Sequence, residues 1–222
     1  MGPVRKYVLY LSVWCGVCMP LCAGAITGSE VITKMREKFT GHKNFSAAFE
    51  RQIYLAVLDQ EFSASGHIVT RKPKQFRVEV GDDVLIVADG KAIWFYARQN
   101  EQAIVSTYQG ELKTPWEILV EYSDAYAPLA VEEVELDGRS CYLLSLVPRT
   151  QAVQVSLLKI WVDRKKWHLR RLEEFKNNED KTTYILKNHR TNKKVGDELF
   201  RFELPEGVEV IDRRVAEPIN GS

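Results

Sequence analysis

From Asn44 onward apolar side chains recur at every second position in short runs divided by turn residues, a period that restricts the chain to a mainly β architecture. Phe45, Ala47 and Phe49 lead into Ile53 and Leu55, and a second run covers residues 63–69. Arg71-Lys72-Pro73 then breaks the ladder, because proline has no N–H to donate. Phe76, Val78 and Val80 alternate with Arg77 and Glu79, the pattern of a half-buried strand. Gly81-Asp82-Asp83 turns the chain into residues 84–87, and Asp89-Gly90 is a two-residue hairpin signal before residues 92–96. Further runs follow at 103–108, 130–136, 141–147, 155–162, 167–175, 182–188 and 199–203, with turns at Asp137-Gly138 and Asp163-Arg164-Lys165.

Two stretches break the period. Val31, Ile32, Met35 and Phe39 have the spacing of one helical face, with Ser29 available as a cap and Gly41 as a stop. Thr114-Pro115 starts a second amphipathic helix over 115–122, carrying Trp116, Ile118 and Leu119. About eleven antiparallel strands with two short helices inserted predict a curved sheet whose helices cover one face or mouth.

Residues 1–25 are of another kind. Arg5 and Lys6 precede an apolar run from Tyr7 to Leu21, and Ala23-Gly24-Ala25 reads as a cleavage site, so we expect a secretory signal removed after Ala25. Residues 26–222 are then one domain, an ordinary size for a single core. Cys15, Cys18 and Cys22 depart with the signal, and none has the preceding residues of a lipid-anchor site. Cys141 alone remains, which excludes an intramolecular disulfide and suits a small buried hydrophobe. Loss of Arg5 and Lys6 takes 31 basic residues to 29 against 30 acidic, a net charge of −1. With no long block of like charge, a nucleic-acid partner is not expected.

No catalytic apparatus is evident. His42, His67, His168 and His189 are scattered without metal-ligand spacing, and neither a serine elbow nor a phosphate-cradling glycine loop occurs. Neither an enzyme, a metal nor a cofactor is expected. A perturbed His168 or His189 in a cleft would be the signature of the enzymatic alternative, a secreted β-rich hydrolase.

Four blocks of sequence share a known pattern. They are Asn44-Phe45-Ser46-Ala47-Ala48-Phe49-Glu50-Arg51-Gln52, then Ser65-Gly66-His67-Ile68-Val69 through Pro73 to Val78, then Val87-Ala88-Asp89-Gly90-Lys91-Ala92-Ile93-Trp94-Phe95-Tyr96, and finally Phe200-Arg201-Phe202-Glu203 through Val210. In this order the chain resembles the LolA family of periplasmic outer-membrane lipoprotein carriers.

The resemblance implies an incomplete, half-open antiparallel β-barrel with an α-helical lid over an apolar concave face. Acyl chains would lie on Phe76, Val78, Val80, Ile86 and Trp94. Val31 and Met35 of the first helix and Trp116, Ile118 and Leu119 of the second would form the lid. Implied partners are acylated lipoproteins, an inner-membrane ABC-type complex that releases them and an outer-membrane LolB-like acceptor. The carrier itself would be a periplasmic monomer. Where the family usually has an arginine that bonds the lid shut, this chain has Lys72, a point charge without the planar guanidinium fork. A half-barrel that carries free lipids or senses lipoproteins, and a filled adhesive sandwich without a lid, remain open as alternatives.

Overall fold

Turn chemistry sets where most of the strands end. Asp89 Oδ1 accepts from the backbone N–H of Lys91 and Ala92 (2.7 and 2.8 Å), and Gly90 takes φ 102°. Asp137 and Gly138 both have positive φ, as a tight hairpin turn requires. Asp163 Oδ1 likewise accepts from the N–H groups of Lys165 and Lys166 (2.9 and 2.8 Å).

The computed structural model describes residues 25–108, 110, 125–150 and 154–214. Helix α1 (Gly28–Thr40) precedes β1 (Asn44–Leu55), β2 (Gln60–Arg71), β3 (Gln75–Val80), β4 (Val84–Ala88), β5 (Ala92–Ala97) and β6 (Gln102–Thr107). After the break come β7 (Tyr126–Leu136), β8 (Arg139–Pro148), β9 (Val155–Asp163), β10 (Leu169–Lys176), β11 (Lys181–Thr191) and β12 (Glu209–Asp212). All twelve strands join one sheet in the order β12-β6-β5-β4-β3-β2-β1-β11-β10-β9-β8-β7. Among the described residues β12 and β7 are the two edges of an open sheet, so the barrel is incomplete, as expected.

The C-terminal region departs from expectation. Residues 199–203 form no strand; a 3-10 turn (Asp197–Phe200) stands there instead. The last strand is β12, and it pairs parallel to β6 rather than antiparallel. The alternation of Phe200 and Phe202 suggests a ladder, but both rings pack against a neighbouring surface without pairing their backbone. Phe200 is buried, and Phe202 stacks on Trp94 (4.7 Å between centroids) and meets Tyr96 edge-on (5.7 Å). The N-cap of α1 is Thr27, two residues before the expected Ser29. It forms a full capping box with Glu30, a contribution of about 1 kcal/mol. The second helix, 115–122, lies outside the described residues.

Helix α1 crosses the inner face of the sheet. Its buried Val31, Ile32 and Met35 share a core with Leu144, Leu158 and Ile160, in which Phe45 and Ile68 also take part. Phe39 meets Phe45 edge-on at 6.4 Å, and Lys34 Nζ lies 4.9 Å over the Trp167 ring. Cys141 is a fully buried free thiol, as its apolar context predicts.

Candidate functional site: an apolar inner wall and its two covers

Strand register decides which side chains share a face, since neighbours along a strand point to opposite sides. Ile68 pairs with Val78, Val78 with Ile86, Ile86 with Phe95, Phe95 with Ile104, and Ile104 with Ile211. Six apolar side chains therefore run in one row across β2, β3, β4, β5, β6 and β12, about 24 Å at the usual strand spacing. Phe76 lies beside this row, buried with Ala88, Ile93 and Tyr108 in a second cluster. Val80 lies on its other side, opposite Gly66. A Cβ on Gly66 would stand 1.9 Å from the Glu79 carbonyl oxygen and 2.7 Å from the Phe49 ring, so only glycine permits this approach.

Of the expected wall residues, Phe76, Val78, Val80 and Ile86 share this face. Trp94 does not: it pairs with Val87 and Val105, both fully buried, on the opposite side of the sheet. The cause is that β5 is apolar on both faces. Phe95 holds the inner position, and Trp94 receives Phe202 from the C-terminal segment. The sequence pattern does not single out Ile68, Phe95 and Ile104; counting parity outward from Val78, through one turn to β2 and three turns to β6, would have found them.

Val31 and Met35 do lie on the inner face, over the half of the sheet built by β7 to β11. Trp116, Ile118 and Leu119 are outside the described residues. The two halves meet at Val78, which packs against both clusters. On the half that α1 leaves aside, Val78, Val80, Ile86, Phe95 and Ile104 are only partly buried. At the rim, a cavity of about 50 Å³ is bounded by Phe39, Phe45, Lys72, Phe76 and Tyr108.

The basic pair before Pro73 divides between the faces. Lys72 Nζ donates to the Thr40 carbonyl at the C-terminus of α1, a favourable place for a cation. Arg71 turns the other way. Its Nη2 pairs with Asp197 (2.7 Å), its Nε donates to Gln75 Oε1 (2.8 Å), and its guanidinium lies 4.6 Å over the Phe200 ring.

A separate polar feature lies where β10 and β11 part. Their ladder ends at Arg171 and Ile185, and irregularities in register occur near Arg170 and near Asn188, whose φ is 55°. His189 Nε2 fills the gap by donating to the Leu169 carbonyl (2.8 Å). Its ring stacks on His168 at 5.0 Å, and His168 meets His42 at 6.4 Å. Burial pushes the His168 and His189 imidazoles down to about 4, and neighbouring histidines and cations add to the effect. His42 is lowered too, first by burial and then by Lys38 and Lys72.

The adjoining cleft, about 550 Å³, therefore matches part of the hydrolase signature. It is lined by Asp137, Arg139, Asp163, Lys166, His168, Arg170, Lys187, Asn188 and His189, with no hydroxyl or thiol nucleophile among them. His189 Nε2 is committed to a backbone carbonyl. The described geometry is that of a buried histidine stack pinned to the backbone at one end.

An open sheet with an apolar inner wall and a helix across it defines a class of half-barrel proteins. The model of the family "Outer membrane lipoprotein carrier protein LolA" matches residues 40–203, and the chain belongs to that family. A protein named outer-membrane lipoprotein carrier protein from Nitrosomonas europaea is 27% identical over 213 residues, covering 92% of this chain and 97% of that one. An uncharacterised protein from Methanocaldococcus jannaschii is 28% identical over 216 residues; this chain spans 93% of its own length there but only 60% of the relative's. Among solved structures, an uncharacterised conserved protein from Thermus thermophilus shares the fold, with a TM-score of 0.55 at 13% identity, covering 84% of this chain and 100% of that one.

Proposed function

We propose that this protein is a periplasmic carrier that takes up the acyl chains of lipoproteins on its inner wall and passes them to an outer-membrane acceptor. The observation that carries the reading is the partly buried row from Val78 through Ile86 and Phe95 to Ile104, beside a helix that covers the other half of the face. Family membership supports it. Phe76, Val78, Val80 and Ile86 serve as the acyl-binding wall, and Phe95 and Ile104 replace Trp94 in it. Val31 and Met35, with Trp116, Ile118 and Leu119, act as the lid, and Lys72 ties the helix end down. Residues 1–25 are a cleaved export signal, and the donor is an inner-membrane ABC-type complex. The protein carries rather than catalyses.

The physical need is plain. Each methylene exposed to water costs about 0.8 kcal/mol, so one long acyl chain costs on the order of 10 kcal/mol. A carrier must hide that surface and still release it without its own energy source. A wall partly filled by displaceable side chains does both, because every displaced contact subtracts from the net affinity.

The test is native mass spectrometry of the protein purified from its own cells without detergent, together with uptake of a fluorescent acyl probe. A one-to-one complex with an acylated protein is expected. Val78→Glu places a charge on the wall and should abolish uptake with the fold intact. Wild-type uptake by that variant refutes the assignment of the wall, and recovery of free phospholipid alone identifies a general lipid carrier instead.

A further inference from the structure

The β1–β2 hairpin carries an exposed apolar apex that the wall does not account for. Val57 is 87% exposed, Leu58 58% and Phe62 51%. These side chains stand on a preformed turn. Leu58 and Asp59 donate their N–H groups to the carbonyls of Leu55 and Ala56, and the Ala56 N–H donates to Asp180 Oδ1 (2.9 Å). Tyr54 donates its hydroxyl to Asp59 Oδ1 (3.0 Å), which turns that carboxylate back onto the hairpin. No basic residue occurs from Ile53 to Phe62.

The hairpin also overhangs its neighbour. Ladder pairing between β2 and β3 begins at Gly66 and the Ser65 carbonyl accepts from the Gly81 N–H (2.7 Å), so residues 60–64 have no partner on that side among the described residues, about 17 Å of strand. Along this overhang the apolar parity is the one that leads to the wall. Phe62 lies opposite Ile53, Ala64 opposite Arg51, and Gly66 opposite Phe49 and Val80, so the face is apolar except for the one cation at its middle step. Phe62, at the foot of the apex, and the acyl wall thus occupy the same face of the sheet.

The geometry points to the β1–β2 apex as a contact that dips into the leaflet of a net-neutral lipid bilayer and brings the face marked by Phe62, Ala64 and Gly66 to the membrane where cargo is handed over. This rests on the carrier reading only for what travels along the face, not for the contact itself. Clustered apolar side chains at a protruding tip are an interaction surface. Their transfer from water into the interface is favourable in proportion to the area buried. The charges of the apex itself are Asp59 and Glu61, and Lys181 opposite Tyr54 is paired with Glu173, a balance that selects an uncharged leaflet over an anionic one, which would attract a basic tip.

The experiment is flotation of the signal-free protein with phosphatidylcholine vesicles, with and without added phosphatidylglycerol. The wild type should float with neutral vesicles, with no gain from the anionic lipid. Val57→Asp combined with Leu58→Asp should reduce the floating fraction by about tenfold or more, the scale of losing a small apolar contact. Both positions are exposed, and an unchanged melting temperature confirms the fold. Val78→Glu separates the two readings: it should float as the wild type does while failing to take up an acyl probe. Equal flotation of the wild type and the double variant overturns the proposal. So does flotation that appears only with phosphatidylglycerol, or a wild-type dimer that the double variant dissolves in size-exclusion light scattering, which would assign the apex to a second copy.

Discussion

His168 and His189 are held neutral in the folded protein, at about 4 against an ordinary 6.5. The unfolded chain binds protons at these sites that the folded chain refuses, so stability falls as pH drops below the unfolded value and levels off only near 4. For one histidine shifted this far, the loss at about pH 5 is roughly 2 kcal/mol relative to neutral pH. His168 is the more solvent-accessible of the two and its share is smaller by screening, so about 3 kcal/mol together is the working figure. In a protein of this size that corresponds to a melting temperature lower by about 6–12 °C. His42 acts in the same direction, while the lowered carboxylates Glu30, Asp180 and Asp212 lose their contribution only at still lower pH. The assay is thermal unfolding at about pH 7.5 and about pH 5, conditions that bracket the shift. His168→Gln combined with His189→Gln should remove most of the difference, and glutamine at 189 can still donate to the Leu169 carbonyl. If the double variant loses as much stability between the two pH values as the wild type does, the histidine cluster is not the source.

Two further substitutions probe the segments that cover the sheet. Lys72→Leu removes the donor at the Thr40 carbonyl while leaving the strands intact. We expect a melting temperature within a few degrees of wild type but altered loading or release of acyl cargo, and unchanged transfer in a reconstituted assay refutes the role. Arg71→Met removes the ion pair to Asp197 and the cover over Phe200, a loss of about 1–3 kcal/mol. It should also free Phe202 from Trp94, so the tryptophan emission should shift red; an unchanged spectrum means that the C-terminal segment is held by something else.

Much of the fold is legible in the alternation because most strands have one wet face. Phe76, Val78 and Val80 advertise their side of the sheet by standing between Arg77 and Glu79. Strands β4 and β5 are different. Phe202 covers Trp94 and Tyr96 on the outer face, and Val84-Leu85-Ile86-Val87-Ala88 and Ile93-Trp94-Phe95-Tyr96 are apolar on both sides, so parity is masked. That is why alternation does not separate Trp94 from Phe95, the residue that occupies the wall. The histidine cluster is illegible for another reason. Its members come from the loop after α1, the turn before β10 and the end of β11, and only the register irregularities at Arg170 and Asn188 bring them into contact.

The Arg71–Lys72 pair shows how one turn can serve both faces of an open sheet. Because the two side chains leave β2 on opposite sides, Arg71 secures the segment that closes the outer surface of β3 to β6, while Lys72 reaches the end of the helix on the inner surface. The outer cover is fastened by an ion pair, a side-chain hydrogen bond and a stacked ring, whereas the described polar tie of the helix end to this turn is a single ammonium donor. A guanidinium in place of Lys72 could donate to two acceptors at once and hold the helix more firmly. The asymmetry suits a wall that must stay sealed behind while opening in front. In the carrier we propose, the adjustable contact is Lys72, which stands beside the small rim cavity next to Phe76.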